Sequence, residues 1–403
     1  MNKRAVRVAL MFLGLVGYGI IGSAQSYLHQ VIVLNEGWSN WQTGEVMEPA
    51  TMGIYDPGIQ QYTVIDTLEG AGFVSDAEIY EGYLYVAADG QLLKYDIDSH
   101  ELLQSVEIAG IRQLAMANGA VYVTRGDVDE FGMSQSFESY FQWFDATTLQ
   151  WQGEVSVSEG PQYATEGIAV VGESIFVGIN NAFDWGNEVG KVGRFNLETE
   201  TYTEWDLGEE GKNPNRLLTS GNKIITVNNR DYGSTSLSVL DGVAESVETV
   251  VVSDANAGCL AAVMDGNTLK YQITGEGQVR ATDINAPAVS SVWLSEVPAY
   301  YGVALDPTTG HWYGSVTDYN TYGYIEIRDA DGAVQGQFDC GVSPGVICMD
   351  VRSMNDIIES QFDVLPPASA WFDILGRSVL PVSNQAKWTI DNNGRKILQV
   401  GGR

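Results

Sequence analysis

Cysteine, histidine and basic side chains are all scarce in this chain. Only Cys259, Cys340 and Cys348 occur in 403 residues, too few for a disulfide-built scaffold, so packing must supply the stability. Cys340 and Cys348 both fall in the expected closing blade of the fold and could bridge, the alternative being three small buried thiols; Cys259 has no evident partner. His29, His100 and His311 are the only histidines, which leaves little material for a Ser-His-Asp system or a multi-histidine metal site. Against 52 acidic residues stand 21 basic ones, a net charge of -31 that repels phosphate backbones and anionic lipid. Nucleic acid is therefore not an expected partner. No apolar run reaches the roughly 20 residues of a membrane span, so direct membrane insertion is not expected. No stretch longer than a turn shows the apolar periodicity of an amphipathic helix, and the strand-to-helix context of phosphate-loop or dinucleotide glycine fingerprints is missing.

The N-terminus does carry a processing signal. Lys3, Arg4 and Arg7 precede an apolar run from Val8 to Ile21, broken by Gly14, Gly17 and Gly19, and Gly22-Ser23-Ala24 follows. That order predicts a secretory signal peptide over residues 1–24, with the mature chain starting at Gln25. No cysteine follows the cleavage region, so no lipid anchor is expected there.

Self-similarity decides the fold class. A strand end, apolar or aromatic in five of seven cases, followed by Asp or Asn recurs at Tyr55-Asp56, Tyr95-Asp96, Phe144-Asp145, Phe195-Asn196, Leu240-Asp241, Thr282-Asp283 and Arg328-Asp329, with spacings of 40, 49, 51, 45, 42 and 46 residues. Asp or Asn at such a place starts a tight turn by accepting hydrogen bonds from the backbone just ahead, and the period suits four-stranded propeller blades. A second series of glycine turns, at Glu81-Gly82, Asn118-Gly119, Gly172-Glu173, Gly221-Asn222, Asp265-Gly266 and Thr309-Gly310, has six members rather than seven. The strand Val31–Leu34 lacks a preceding partner, and Gly345–Met349 reads as an innermost strand without a blade. The two are expected to pair, closing a seven-bladed, all-β propeller and removing its free edges. The expected ring spans residues 25–352, followed by a linker with Pro366-Pro367 over 353–367 and a short β segment over 368–403.

In that segment, Ala370-Trp371-Phe372-Asp373-Ile374-Leu375-Gly376-Arg377-Ser378-Val379 and the closing Lys396–Val400 resemble the C-terminal sorting segment of the type 9 secretion system of Bacteroidetes, with Trp388-Thr389-Ile390 between them. The resemblance implies export across an outer membrane, with attachment or release at the surface.

Propeller geometry puts the first-to-second and third-to-fourth strand turns on one face, and the second-to-third loops and blade links on the other. The first set is tight. The second set carries the long segments Glu36–Pro49, Gly126–Ser139, Asn180–Lys191, Asn228–Ser234 and Thr317–Gly323, and long loops on a rigid scaffold are where binding is placed. Aromatic and cationic side chains there and in the adjoining links make the candidate ligand-binding set Trp38, Trp41, Arg112, Phe131, Tyr163, Trp185, Arg216, Arg230, Tyr232, Tyr300, Tyr301 and Tyr319. In a chain so poor in base, convergence of Arg112, Arg216 and Arg230 on one mouth would be notable. Rings folded onto neighbouring loops as small cores are the competing reading for each aromatic.

The opening Val33-Leu34-Asn35-Glu36-Gly37, the strand end Ile54-Tyr55-Asp56-Pro57 and repeats such as Glu81-Gly82-Tyr83-Leu84-Tyr85-Val86 resemble the YncE-like surface propellers of Bacteroidetes. One branch of that family captures vitamin B12 and hands it to a TonB-dependent outer-membrane transporter. The resemblance implies a secreted or surface ligand-binding propeller, with a corrinoid-like small molecule and such a transporter as partners. A protein-interaction or adhesion propeller is the alternative, and a polysaccharide-acting enzyme a further one. Asp127, Asp129 and Glu130 share one loop and Asp184 and Glu188 another, but chance clustering among so many acids explains these pairs better than a glycosidase site. Asp329-Ala330-Asp331-Gly332 reads as a plain turn rather than a calcium loop. No catalytic residue, metal or cofactor is expected.

Overall fold

The computed structural model describes residues 25–353, apart from 41, 42, 44, 69, 70, 130 and the Cys259 side chain, together with the backbone of four short strands between 371 and 399. The expected signal peptide, all but one residue of the expected linker and the rest of the C-terminal segment lie outside the described residues.

Seven four-stranded antiparallel sheets follow one another along the chain as the blades of a propeller. Blade 2, for example, runs Val74–Tyr80, Tyr83–Ala88, Gln91–Asp96 and Leu102–Glu107 in order. Blade 1 alone breaks the sequential order. Its strands are Pro344–Ser353, Ser26–Asn35, Ala50–Asp56 and Gln61–Leu68, so the last strand of the ring is innermost beside the first. The expected closure between Val31–Leu34 and Gly345–Met349 is found.

Blade-to-blade packing follows from the two-residue strand period. Ile32 and Leu34 turn one way, into a core shared with Leu84, Val86 and Leu93 of blade 2. Val31 and Val33 turn the other way, against Tyr313, Ile325 and Phe338 of blade 7. Both faces of the strand are buried, so it reads as a continuous apolar run. Burying each such side chain contributes about 1.5–3 kcal/mol. Fourth strands lie on the outside and are polar or half-exposed, as in Leu102–Glu107.

The tight-turn face is built as expected. All seven Asp or Asn side chains at the third-strand ends accept backbone N–H groups two or three residues ahead, for instance Asp145 from Thr147 at 3.0 Å and Thr148 at 2.8 Å. These bonds hold the carboxyls of Asp96, Asp145, Asp241 and Asp329 below their ordinary value. At the first hairpin turns, Glu81-Gly82 and Asn118-Gly119 carry positive φ at both positions, the geometry that matches strand twist. One single 3-10 turn, Glu209–Gly211, is found among the described residues, and a second tight turn, Arg230–Tyr232, has left-handed backbone at Asp231 and Tyr232. Cys340 and Cys348 are free thiols rather than a bridge; burial pushes Cys340 up to about 12 and Cys348 well above its ordinary value.

Leu28–Val351 forms one compact unit, the ring. In the C-terminal segment, Trp371–Phe372 pairs with Ser378–Val379 and Lys387–Ile390 with Lys396–Gln399, two short hairpins.

Candidate functional site: the long-loop mouth

Glu36 leaves the first strand at the loop-bearing end of the ring. Its N–H donates to the Ser343 carbonyl at 2.9 Å and that of Gly37 to Val342 at 3.0 Å, so the approach to the closing strand pins it. Gly37 has φ of 75° and sits where any Cβ would strike the Glu48 and Pro49 backbone. Only glycine lets the hairpin Trp38–Asn40 and Glu45–Glu48 fold back so closely. The Glu36 carboxylate is 9% exposed and accepts a hydrogen bond from the Tyr301 hydroxyl at 2.7 Å. Burial pushes it up to about 7, against the opposing pull of that hydroxyl and of the Arg112 charge. Tyr301 in turn meets Tyr319 edge to face, ring centres 5.2 Å apart.

Arg112 stands at the start of the innermost strand of blade 3, Ile111–Ala117. Its Nε and Nη2 donate to both oxygens of Glu166 at 2.8 to 3.1 Å, and Phe73 and Phe183 approach its guanidinium at 5.1 and 5.3 Å. A cavity of about 370 Å³ opens here, lined by Phe73, Gly110, Arg112, Gly126, Asp127 and Phe183. Gly110 and Gly126 shape it by omission, since a Cβ at either would strike Phe137 or Phe183. Beside it Arg125, which the sequence reading passed over, donates to Ala109 and Ser139 carbonyls and lies 4.1 Å over Phe137, anchoring the Gly126–Ser139 loop.

Further along the innermost strands, Asp76 and Glu78 of blade 2 act on Arg216 of blade 5. Burial raises both carboxyls, and the Arg216 charge partly offsets it. Asp76 also accepts the Leu114 N–H at 2.8 Å, tying blade 2 to blade 3.

At the rim, Trp185 stacks on Tyr232, with ring centres 5.2 Å apart and planes 25° apart. Arg230 is committed to Glu210 at 2.5 Å and Asp231 at 3.4 Å. The three arginines therefore do not present a joint free positive mouth: Arg112 is held by Glu166, Arg216 answers to Asp76 and Glu78, and Arg230 is ion-paired at the rim. Tyr300 is a second correction. It is 4% exposed, packs on Trp312 at 5.8 Å, and its hydroxyl donates to Glu326 and accepts from Arg328, so it belongs to the blade 7 core. Phe131, Tyr163 and Trp38 are exposed on the long-loop face without joining either cluster; Trp41 lies outside the described residues. Phe73, Glu36 and Glu166 complete the mouth without having been singled out as ligand-binding. No group of three or more His, Cys, Asp or Glu among the described residues is placed to hold a metal ion.

No family model matches the chain, and no curated protein matches it. Solved structures do. The chain is similar to a hypothetical selenium-binding protein from Sulfolobus tokodaii, with TM-score 0.58, 13% identity, and coverage of 80% of this chain and 93% of that one. It is also similar to the extracellular domain of a protein of B. thetaiotaomicron assigned as a one component system, with TM-score 0.53, 12% identity, and coverage of 78% of this chain and 44% of that one. At such identities the likeness shows a shared propeller fold.

Proposed function

We propose that this chain is a ligand-capture propeller that works outside the cytoplasm and holds a small molecule at the long-loop mouth without chemical turnover. The observation that carries the reading is the cavity beside Arg112, walled by Phe73 and Phe183, on the face where the long loops gather. An aromatic-walled concavity with a few fixed polar groups is the usual form of a small-molecule site. The Arg112–Glu166 pair is locked by its own hydrogen bonds, so it presents remaining polar edges to a ligand at little ordering cost. The order of basic, apolar and small residues over the first 24 positions supports an extracytoplasmic place.

The resemblance to B12-capturing propellers gives the proposal its specific form: a corrinoid held across the mouth and passed to a TonB-dependent transporter. At about 370 Å³ the cavity suits one projecting group of such a ligand rather than the whole macrocycle, with Tyr301 and Tyr319 left to meet the remainder. Isothermal titration with cyanocobalamin tests it. Saturable heat, weakened at least about tenfold by Phe183→Ala, supports corrinoid capture; a tenfold loss corresponds to about 1.4 kcal/mol. No heat removes the corrinoid form. A thermal-shift screen without any stabilising small molecule, alongside recovery of a partner from outer membranes, would replace capture by the protein-interaction reading.

A further inference from the structure

The rim between blades 4 and 5 carries a feature that the mouth does not need. Trp185 is 76% exposed, yet it is not a loose side chain. One face of the indole lies on Tyr232, and Tyr232 is itself held, its hydroxyl donating to the Ala182 carbonyl at 3.4 Å. To put the tyrosine there, Asp231 and Tyr232 both adopt left-handed backbone, with φ of 48° and 51°. Left-handed backbone at two consecutive non-glycine residues is strained. The Arg230 ion pairs with Glu210 and Asp231 hold the turn in place.

The same loop carries planar polar groups close in sequence to the indole. Asn187 donates its amide to Asp184 at 3.0 Å, and Asn181 donates to the Asn187 carbonyl at 2.9 Å. At the loop's base, hydrogen-bonding capacity is left over. Asn180 uses its side-chain oxygen on the Ala182 N–H while its Nδ2 has no partner, and on the adjoining strand entry Asn213 Oδ1 and Asn215 Nδ2 likewise have none. Asn180 and Asn213 are fully buried, so this capacity belongs to the junction of blades 4 and 5 and not to the exposed indole.

We infer that the Trp185–Tyr232 rim binds a neutral pyranose of a glycan, an inference that rests on the capture reading of the long-loop face. The C–H groups on one side of a pyranose carry partial positive charge and suit the electron-rich face of an indole. Carboxylate and carboxamide edges at Asp184 and Asn187 suit pairs of vicinal hydroxyls. Asp184, Glu209, Glu210 and Asp231 outnumber Arg230 and Lys212, so phosphorylated, sulfated and uronic ligands are repelled. This excludes nucleotides, which would otherwise stack equally well.

The test is titration of the full chain with cellohexaose, xylohexaose, mannohexaose and laminarihexaose, and with tri-galacturonate as the anionic control. At least one neutral hexaose is expected to bind saturably, with a change in tryptophan fluorescence and no binding of tri-galacturonate. Trp185→Ala should weaken it at least about tenfold with an unchanged melting temperature, and Tyr232→Ala should weaken it less. No binding by any neutral hexaose at about 10 mM, a weaker limit than the millimolar class, overturns the inference, as does binding undiminished in Trp185→Ala. If the hexaoses fail, cyanocobalamin heat that depends on Phe183 in the same preparation shows that capture at the mouth stands while the glycan rim falls.

Discussion

Gln30 in the first strand of the ring donates its side-chain amide to the Asp350 carboxylate in the last, at 3.0 Å and across 320 positions of sequence. The same nitrogen reaches the Ile97 carbonyl of blade 2 at 3.0 Å, and His100 meets the Gln30 oxygen at 3.3 Å. Gln30 and Asp350 are 5% and 3% exposed. Ring closure is therefore fixed by a buried polar contact as well as by strand pairing. Replacing Gln30 with Met keeps most of the volume but leaves a buried carboxylate and carbonyl without this donor. A loss of about 1–3 kcal/mol is expected, read as a lower urea midpoint with unchanged slope.

Glu36 titrates differently in the folded and unfolded chain. Folding raises its carboxyl from 4.5 to about 7 because burial disfavours the charge. Below pH 4.5 both states hold the proton and the fold bears no penalty. Between there and about pH 7 the unfolded chain releases the proton first, so stability falls as pH rises. Asp76 and Glu78, also raised by burial, act in the same direction. Urea unfolding should show the wild type less stable at pH 8 than at pH 5, with a shallower slope in Glu36→Gln. Because the acidic turns have depressed carboxyls, an opposite, acid-side loss should appear only below about pH 4.

The Arg112–Glu166 pair is bidentate, and its side chains are 18% and 12% exposed. Lysine in place of Arg112 keeps the charge but cannot present two parallel donors. Arg112→Lys is expected to lower stability by about 1–3 kcal/mol, with a larger proportional loss of ligand binding. Calorimetric melts and titrations on the same preparation separate the two effects.

Gly302, beside the innermost strand of blade 7, and Gly345, in the closing strand of blade 1, approach so closely that a Cβ on Gly302 would overlap the Gly345 carbonyl. Gly302→Ala must push the two inner strands apart. The expected cost is about 1–3 kcal/mol, seen as a lower melting temperature, whereas Gly336→Ala, with open space at its Cβ, should change stability little.

The blade count and ring closure were legible in the sequence because both rest on local chemistry: one Asx turn per blade, and apolar runs whose alternate residues face two neighbours. The mouth was only partly legible. Glu166 lies 54 positions from Arg112, and no local pattern announces a pair that only the ring brings together. Tyr300 and Tyr301 are adjacent, yet one enters the Trp312 core and the other reaches Glu36; the link before blade 7 has no periodicity that would tell them apart. Trp185 and Tyr232 were recognisable as loop aromatics, but their stacking depends on the left-handed turn at Asp231 and Tyr232.

Hydrogen exchange of the full chain with and without saturating cyanocobalamin tests most directly whether the long-loop mouth is the binding face. Slower exchange confined to 36–49, 110–112, 126–139, 180–190 and 317–323, with the Asx turns at Asp96, Asp145 and Asp241 unchanged, is the predicted result. Protection centred on those tight turns, or no change anywhere, would contradict it.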